Sequence, residues 1–133
     1  VVCASPAYLA EHGVPLSPED LAQHDCINFT ALDATDSWTF RYGWDDRSVS
    51  FRSRLSLNTA EAAIDAAVAG LGVTRVLSYQ IASQREHGTL QAVLEDFAPP
   101  AVPVRPVYDG QGELPLKLRA FVDFAGRQLR SRF

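Results

Sequence analysis

The stretch from Asn58 to Ser78, NTAEAAIDAAVAGLGVTRVLS, constrains the fold more than any other part of the chain, because it encodes a capped helix, a glycine turn and a buried strand in immediate succession. Asn58 is a good N-cap residue, and Glu61 stands three positions later, as in a capping box. Ala60, Ala63, Ile64, Ala67, Val68 and Leu71 recur at helical spacing and give one apolar face. Gly70 and Gly72 close the helix and turn the chain into the strand Val73-Thr74-Arg75-Val76-Leu77. A helix that starts where a strand ends offers unpaired amides and a positive dipole end to an anion. The same pattern also serves as a plain strand-helix-strand unit of an α/β core.

Composition agrees with a folded core and excludes several classes. The chain has 133 residues, 47% of them hydrophobic and 21% charged, which suits one globular domain and does not suit disorder. A formal net charge of -4 and a pI near 5.2 leave no overall basic field, so this segment is not expected to bind DNA by itself. No apolar run approaches the roughly 20 residues of a membrane span. The N-terminus lacks the basic and apolar blocks of a signal peptide, but Val1 already reads as strand interior, so the chain is expected to begin in mid-protein. Cys3 and Cys26 are too few for a disulfide scaffold and lack metal spacing. Both read as reduced core residues, which favours a reducing compartment.

The remaining elements alternate without repeats. Ser5-Pro6 is an N-cap followed by a first-turn proline, and Gly13 stops that helix. Ser17-Pro18-Glu19-Asp20 repeats the signal for a short helix through Leu21. Strands are predicted at Cys26 to Phe29, Trp38 to Arg41 and Val49 to Leu57, with a hairpin connection over Gly43 to Arg47. Beyond the central unit come a helix from Ser78 to Glu86 ended by Gly88, a strand from Leu90 to Leu94, and an extended run from Val102 to Tyr108 flanked by prolines. A last helix carries Leu114, Leu118, Phe121, Val122, Ala125 and Leu129 as a stripe.

The order and wording of these pieces resemble the C-terminal part of the effector-binding (substrate-binding) domain of LysR-type transcriptional regulators. The matching pieces are Val2-Cys3-Ala4-Ser5-Pro6-Ala7-Tyr8-Leu9, Pro18-Glu19-Asp20-Leu21, Trp38-Thr39-Phe40, Ala69-Gly70-Leu71-Gly72-Val73, Gly88-Thr89-Leu90 and Lys117-Leu118-Arg119-Ala120-Phe121. The resemblance runs from end to end. It implies a type II periplasmic-binding-protein-like α/β fold of two subdomains joined by crossover strands, with a small effector between them. Residues 1–103 would then be the second subdomain, begun by the first crossover strand. Residues 104–133 would be the returning crossover strand and C-terminal helix of the first subdomain. The DNA-binding winged helix-turn-helix would belong to a parent protein, and this chain would hold about half of the sensing cleft.

The resemblance places the effector site at Asn58, Thr59 and Ala60 and at the turn and strand Gly72, Val73, Thr74 and Arg75. The Thr59 hydroxyl and nearby amides can donate to a carboxylate. Arg75 and Leu77 stand where the family has a small apolar residue and a proline. Arg75 could bind an effector carboxylate with its planar fork, or pair with Glu61 or Asp65 at the surface. The implied partners are an organic acid or similar anion, a second copy of the chain in a dimer or tetramer, and DNA only through the absent domain. No cofactor, metal or membrane is expected, and the resemblance implies a cytoplasmic protein. An enzyme finds little support, since His12, His24 and His87 lack a carboxylate-and-nucleophile pattern and no phosphate loop or zinc spacing occurs. An extracytoplasmic solute-binding protein of the same fold is the alternative.

Overall fold

The computed structural model describes residues 1–101 and 123–130. The chain divides into two compact units, Val1–Pro99 and Pro100–Phe133. In chain order the first unit contains β1 (Val2–Ala4), α1 (Pro6–His12), a 3-10 turn (Pro18–Gln23), β2 (Cys26–Phe29), β3 (Ser37–Tyr42), β4 (Asp45–Ser50), β5 (Ser53–Leu57), α2 (Ala60–Val68), β6 (Val73–Arg75), a second 3-10 turn (Ser78–Ile81), α3 (Ala82–His87), β7 (Gln91–Val93) and a third 3-10 turn (Glu95–Phe97). In the second unit residues 123–130 are helical. The extended run from Val102 to Tyr108 and the stripe residues Leu114, Leu118, Phe121 and Val122 lie outside the described residues.

Five strands make one mixed sheet in the order β5-β2-β6-β1-β7. β2 pairs in parallel with β5 and β6, and β1 pairs antiparallel with β6 and β7. β1 and β2 are buried at every position, as expected of short strands covered on both faces. Because side chains alternate along a strand, two cores result. On one face Val2, Ala4, Cys26 and Val73 pack with Tyr8 and Leu9 of α1 and with Trp38 and Phe40. On the other, Cys3, Ile27 and Phe29 meet Ala63, Ile64 and Ala67 of α2. Both cysteines are buried and free, and burial pushes Cys3 up to about 11 and Cys26 up to about 12.

Several boundaries differ from the sequence-based ones, each for a local reason. The single strand predicted from Val49 to Leu57 is two. Phe51 turns inward against Trp38, with ring centroids 4.4 Å apart, and its amide bonds the Asp36 carbonyl, so β4 stays in a hairpin with β3 while β5 leaves to join β2. The hairpin loop contracts to Gly43-Trp44, with Gly43 at φ 63. The helix predicted from Ser78 to Glu86 opens as a 3-10 turn before α3. Finally, the cap of α2 is Thr59 and not Asn58. Thr59 is extended, and its Oγ accepts from the Ala62 amide at 3.2 Å. Glu61 then falls in the first turn, where its charge suits the dipole.

The far end of α2 follows the glycine logic closely. The Leu71 amide reaches the Ala66 carbonyl at 3.1 Å and the Gly70 amide reaches that of Ala67 at 3.0 Å, the bonding of a Schellman motif with Gly70 at φ 83. Gly72 then admits the chain to β6. A Cβ there would lie 2.3 Å from the Asp25 carbonyl oxygen, so only glycine fits against the start of β2.

Candidate site at the carboxyl edge of the parallel strands

Since β5, β2 and β6 are parallel, their carboxyl ends share one edge, the usual ligand edge of an open α/β sheet. Phe29 ends β2 opposite Leu57 at the end of β5. Thr30 ties the two together, donating from both its amide and its hydroxyl to the Leu57 carbonyl, at 2.8 and 3.2 Å. The chain then passes through Asn58 and Thr59 into α2, whose first amides open onto this edge. Thr59, Ala60, Glu61, Phe29, Ile64 and Gln80 line a depression of about 530 Å³. Its floor is apolar and its rim polar, a composition suited to a small organic molecule. Gln80 is fixed there by accepting the Leu77 amide at 2.9 Å through Oε1.

Arg75 lies two strands from β5, about 10 Å across the sheet at ordinary strand spacing. Its partner is neither Glu61 nor Asp65 but Asp33, at 3.7 Å between Nη1 and Oδ1, with the two side chains 18% and 17% exposed. Asp33 belongs to the loop after β2. That loop is held from below by Asn28, whose Nδ2 donates to the Asp33 carbonyl at 3.0 Å and to the Thr35 carbonyl and Asp36 Oδ1 at 3.4 Å. Ser53 closes the group by donating to Asp36 Oδ1 at 2.5 Å. Burial raises the Asp33 carboxyl above its ordinary value, against the opposing pull of Arg75.

The structure therefore brings Asn58, Thr59 and Ala60 together at the carboxyl edge, with Arg75 near the same edge. Gly72 and Val73 stand at the opposite end of β6, where the Val73 amide bonds the Asp25 carbonyl and Val73 is wholly buried. Thr74 is also wholly buried, its hydroxyl committed to the Ile27 carbonyl at 3.0 Å. Those three support the edge from beneath. Asn28, Phe29, Asp33 and Gln80 escaped the sequence reading. The signal for the first was present: an amide side chain inside the apolar run Cys26-Ile27-Asn28-Phe29 has to be satisfied by something. A second depression, about 280 Å³, lies between Val14-Pro15-Leu16 and Ala92 to Phe97. Among the described residues no cluster of three or more His, Cys, Asp or Glu side chains could hold a metal, and no helix is long and apolar enough to cross a membrane.

Comparison with known proteins follows the same outline. Residues 1–130 match the family model described as the LysR substrate binding domain. A putative transcriptional regulator of Pseudomonas aeruginosa is 38% identical over 100 residues, covering 74% of this chain and 33% of that protein. The HTH-type transcriptional activator TtdR of Escherichia coli is 29% identical over 133 residues, covering 99% of this chain and 43% of that protein. The chain thus spans a third to two-fifths of the length of these curated relatives. Among solved structures, the regulatory domain of AphB from Vibrio vulnificus superposes with a TM-score of 0.73 at 27% identity, covering 93% of this chain and 61% of that one.

Proposed function

Because this chain belongs to the LysR substrate-binding domain family, we propose that it is the effector-sensing part of a transcriptional regulator and that its effector is a small organic acid or similar anion. The fold is the periplasmic-binding-protein-like one of that family's regulatory domains. Residues 1–103 are read as its second subdomain, and the unmatched remainder of the relatives' length as the rest of the cleft and a DNA-binding domain. The observation that carries this reading is the placement of the open amides of α2 and the Thr59 hydroxyl beside a depression at the carboxyl edge, with Arg75 ending the strand β6 of the same edge. Each donates or is positive, and together they suit a carboxylate. Occupation of the edge changes how the two subdomains close, and closure in the parent governs its grip on DNA. The relatives are named as transcriptional regulators, and the same role is proposed here, within an oligomer in the cytoplasm.

The test separates capping from binding. Thr59→Asp keeps an N-cap acceptor, so stability stays within about 0.5 kcal/mol of the native chain. The new carboxylate repels an anionic effector, so affinity for a carboxylate ligand falls about tenfold or more in calorimetric titration. Unchanged affinity would remove the start of α2 from the site.

A further inference from the structure

The Arg75–Asp33 pair has features that a purely structural ion pair does not need. Its one contact among the described residues is 3.7 Å, beyond hydrogen-bond length, although both side chains are largely buried. Asp33 Oδ2 and Asn28 Oδ1 are buried as well, and neither has a hydrogen-bond partner among the described residues. Asn28 is 1% exposed, and its Nδ2 donations to the loop carbonyls fix which way its amide faces, leaving Oδ1 an acceptor in want of a donor. Two acceptors without a partner among the described residues thus stand in the same loop cluster as a guanidinium whose one ion-pair contact among those residues is long.

Charge decides what can enter. A simple carboxylate that takes Arg75 leaves Asp33 buried and uncompensated, whereas a molecule carrying a carboxylate and an ammonium on one carbon replaces both halves of the pair and keeps the site neutral. We propose that the edge binds a zwitterionic 2-amino acid, its carboxylate on Arg75 and its ammonium on Asp33 Oδ2 and Asn28 Oδ1. This rests on the reading of the edge as a carboxylate site and adds the second functional group. Burial raises the Asp33 carboxyl, and an ammonium beside it offsets that cost.

The test titrates the full chain with three matched series sharing a side chain: leucine, phenylalanine and glutamate, each beside its 2-hydroxy analogue and the acid lacking any 2-substituent. In at least one series the amino acid binds about tenfold or more tightly than both analogues. Asp33→Asn abolishes that preference, and Arg75→Gln abolishes binding of all three. Equal affinity for amino acid and unsubstituted acid, equal affinity for the hydroxy acid, or a preference that survives Asp33→Asn overturns the zwitterion while leaving the carboxylate site standing. No binding by any acid in any series overturns both. The comparison within each series uses the native chain alone, so it holds even where a variant fails to fold.

Discussion

At the scale of single residues, the positions that tolerate least are those where backbone meets backbone. Gly72 has φ 157, and an added Cβ would sit 2.3 Å from the Asp25 oxygen and 2.9 Å from its carbon, neither of which is free to move because that carbonyl holds the Val73 amide. Gly72→Ala is expected to cost about 2–4 kcal/mol, measured by urea denaturation, with the loss in the midpoint and not in the slope. A near-neutral effect would mean that β2 and β6 are not locked at this point. The glycine itself was plain in the sequence. The partner of Arg75 was not, because helical spacing directs attention to Glu61 and Asp65 on α2, while the observed partner comes from a loop that only the β2–β6 pairing brings near. Ion pairs across a sheet leave no periodic trace in the chain.

At the scale of elements, α1 and the turn after it show how one buried tyrosine couples to titration. The Asp25 amide donates to the Tyr8 hydroxyl at 3.0 Å, and that hydroxyl lies 3.0 Å from His24 Nδ1. With its oxygen already accepting, the hydroxyl is best placed to donate to a neutral imidazole. Desolvation and the nearby His12 lower the His24 pKa from 6.5, against Asp20 and Asp25, which favour the charged ring. A group whose folded pKa is depressed in this way resists protonation only in the fold. Stability is therefore unaffected above 6.5, declines as the pH falls through 6.5 while the unfolded chain takes up protons, and levels off below the folded value. His24→Gln should flatten the stability profile as the pH falls through 6.5 in denaturant titrations. An equally steep profile in the variant would assign the decline to other groups. Element types were largely legible, since proline, glycine and capping residues mark most starts and stops. The split at Phe51 and the 3-10 opening before α3 were not, because both are set by burial against distant side chains.

At the scale of the whole molecule, the sheet order explains why residues grouped by the sequence do not lie together. The segment from Asn58 to Arg75 runs from one end of the parallel strands down α2 and back up β6, so residues close in sequence fall at opposite ends of the sheet. Gly72, Val73 and Thr74 are at the foot or inside, and Asn58, Thr59 and Ala60 at the rim. On the proposed function this rim, and not the depression beside β7, receives a small carboxylate. The most direct measurement is a two-dimensional amide NMR titration of the isotopically labelled chain with the amino acid and carboxylate series. Saturable shifts are expected at the amides of Thr30, Thr59 and Ala60 and at the Arg75 side chain. Shifts confined to Val14 to Leu16 and Leu94 to Phe97, or none at all at saturating concentration, would contradict it.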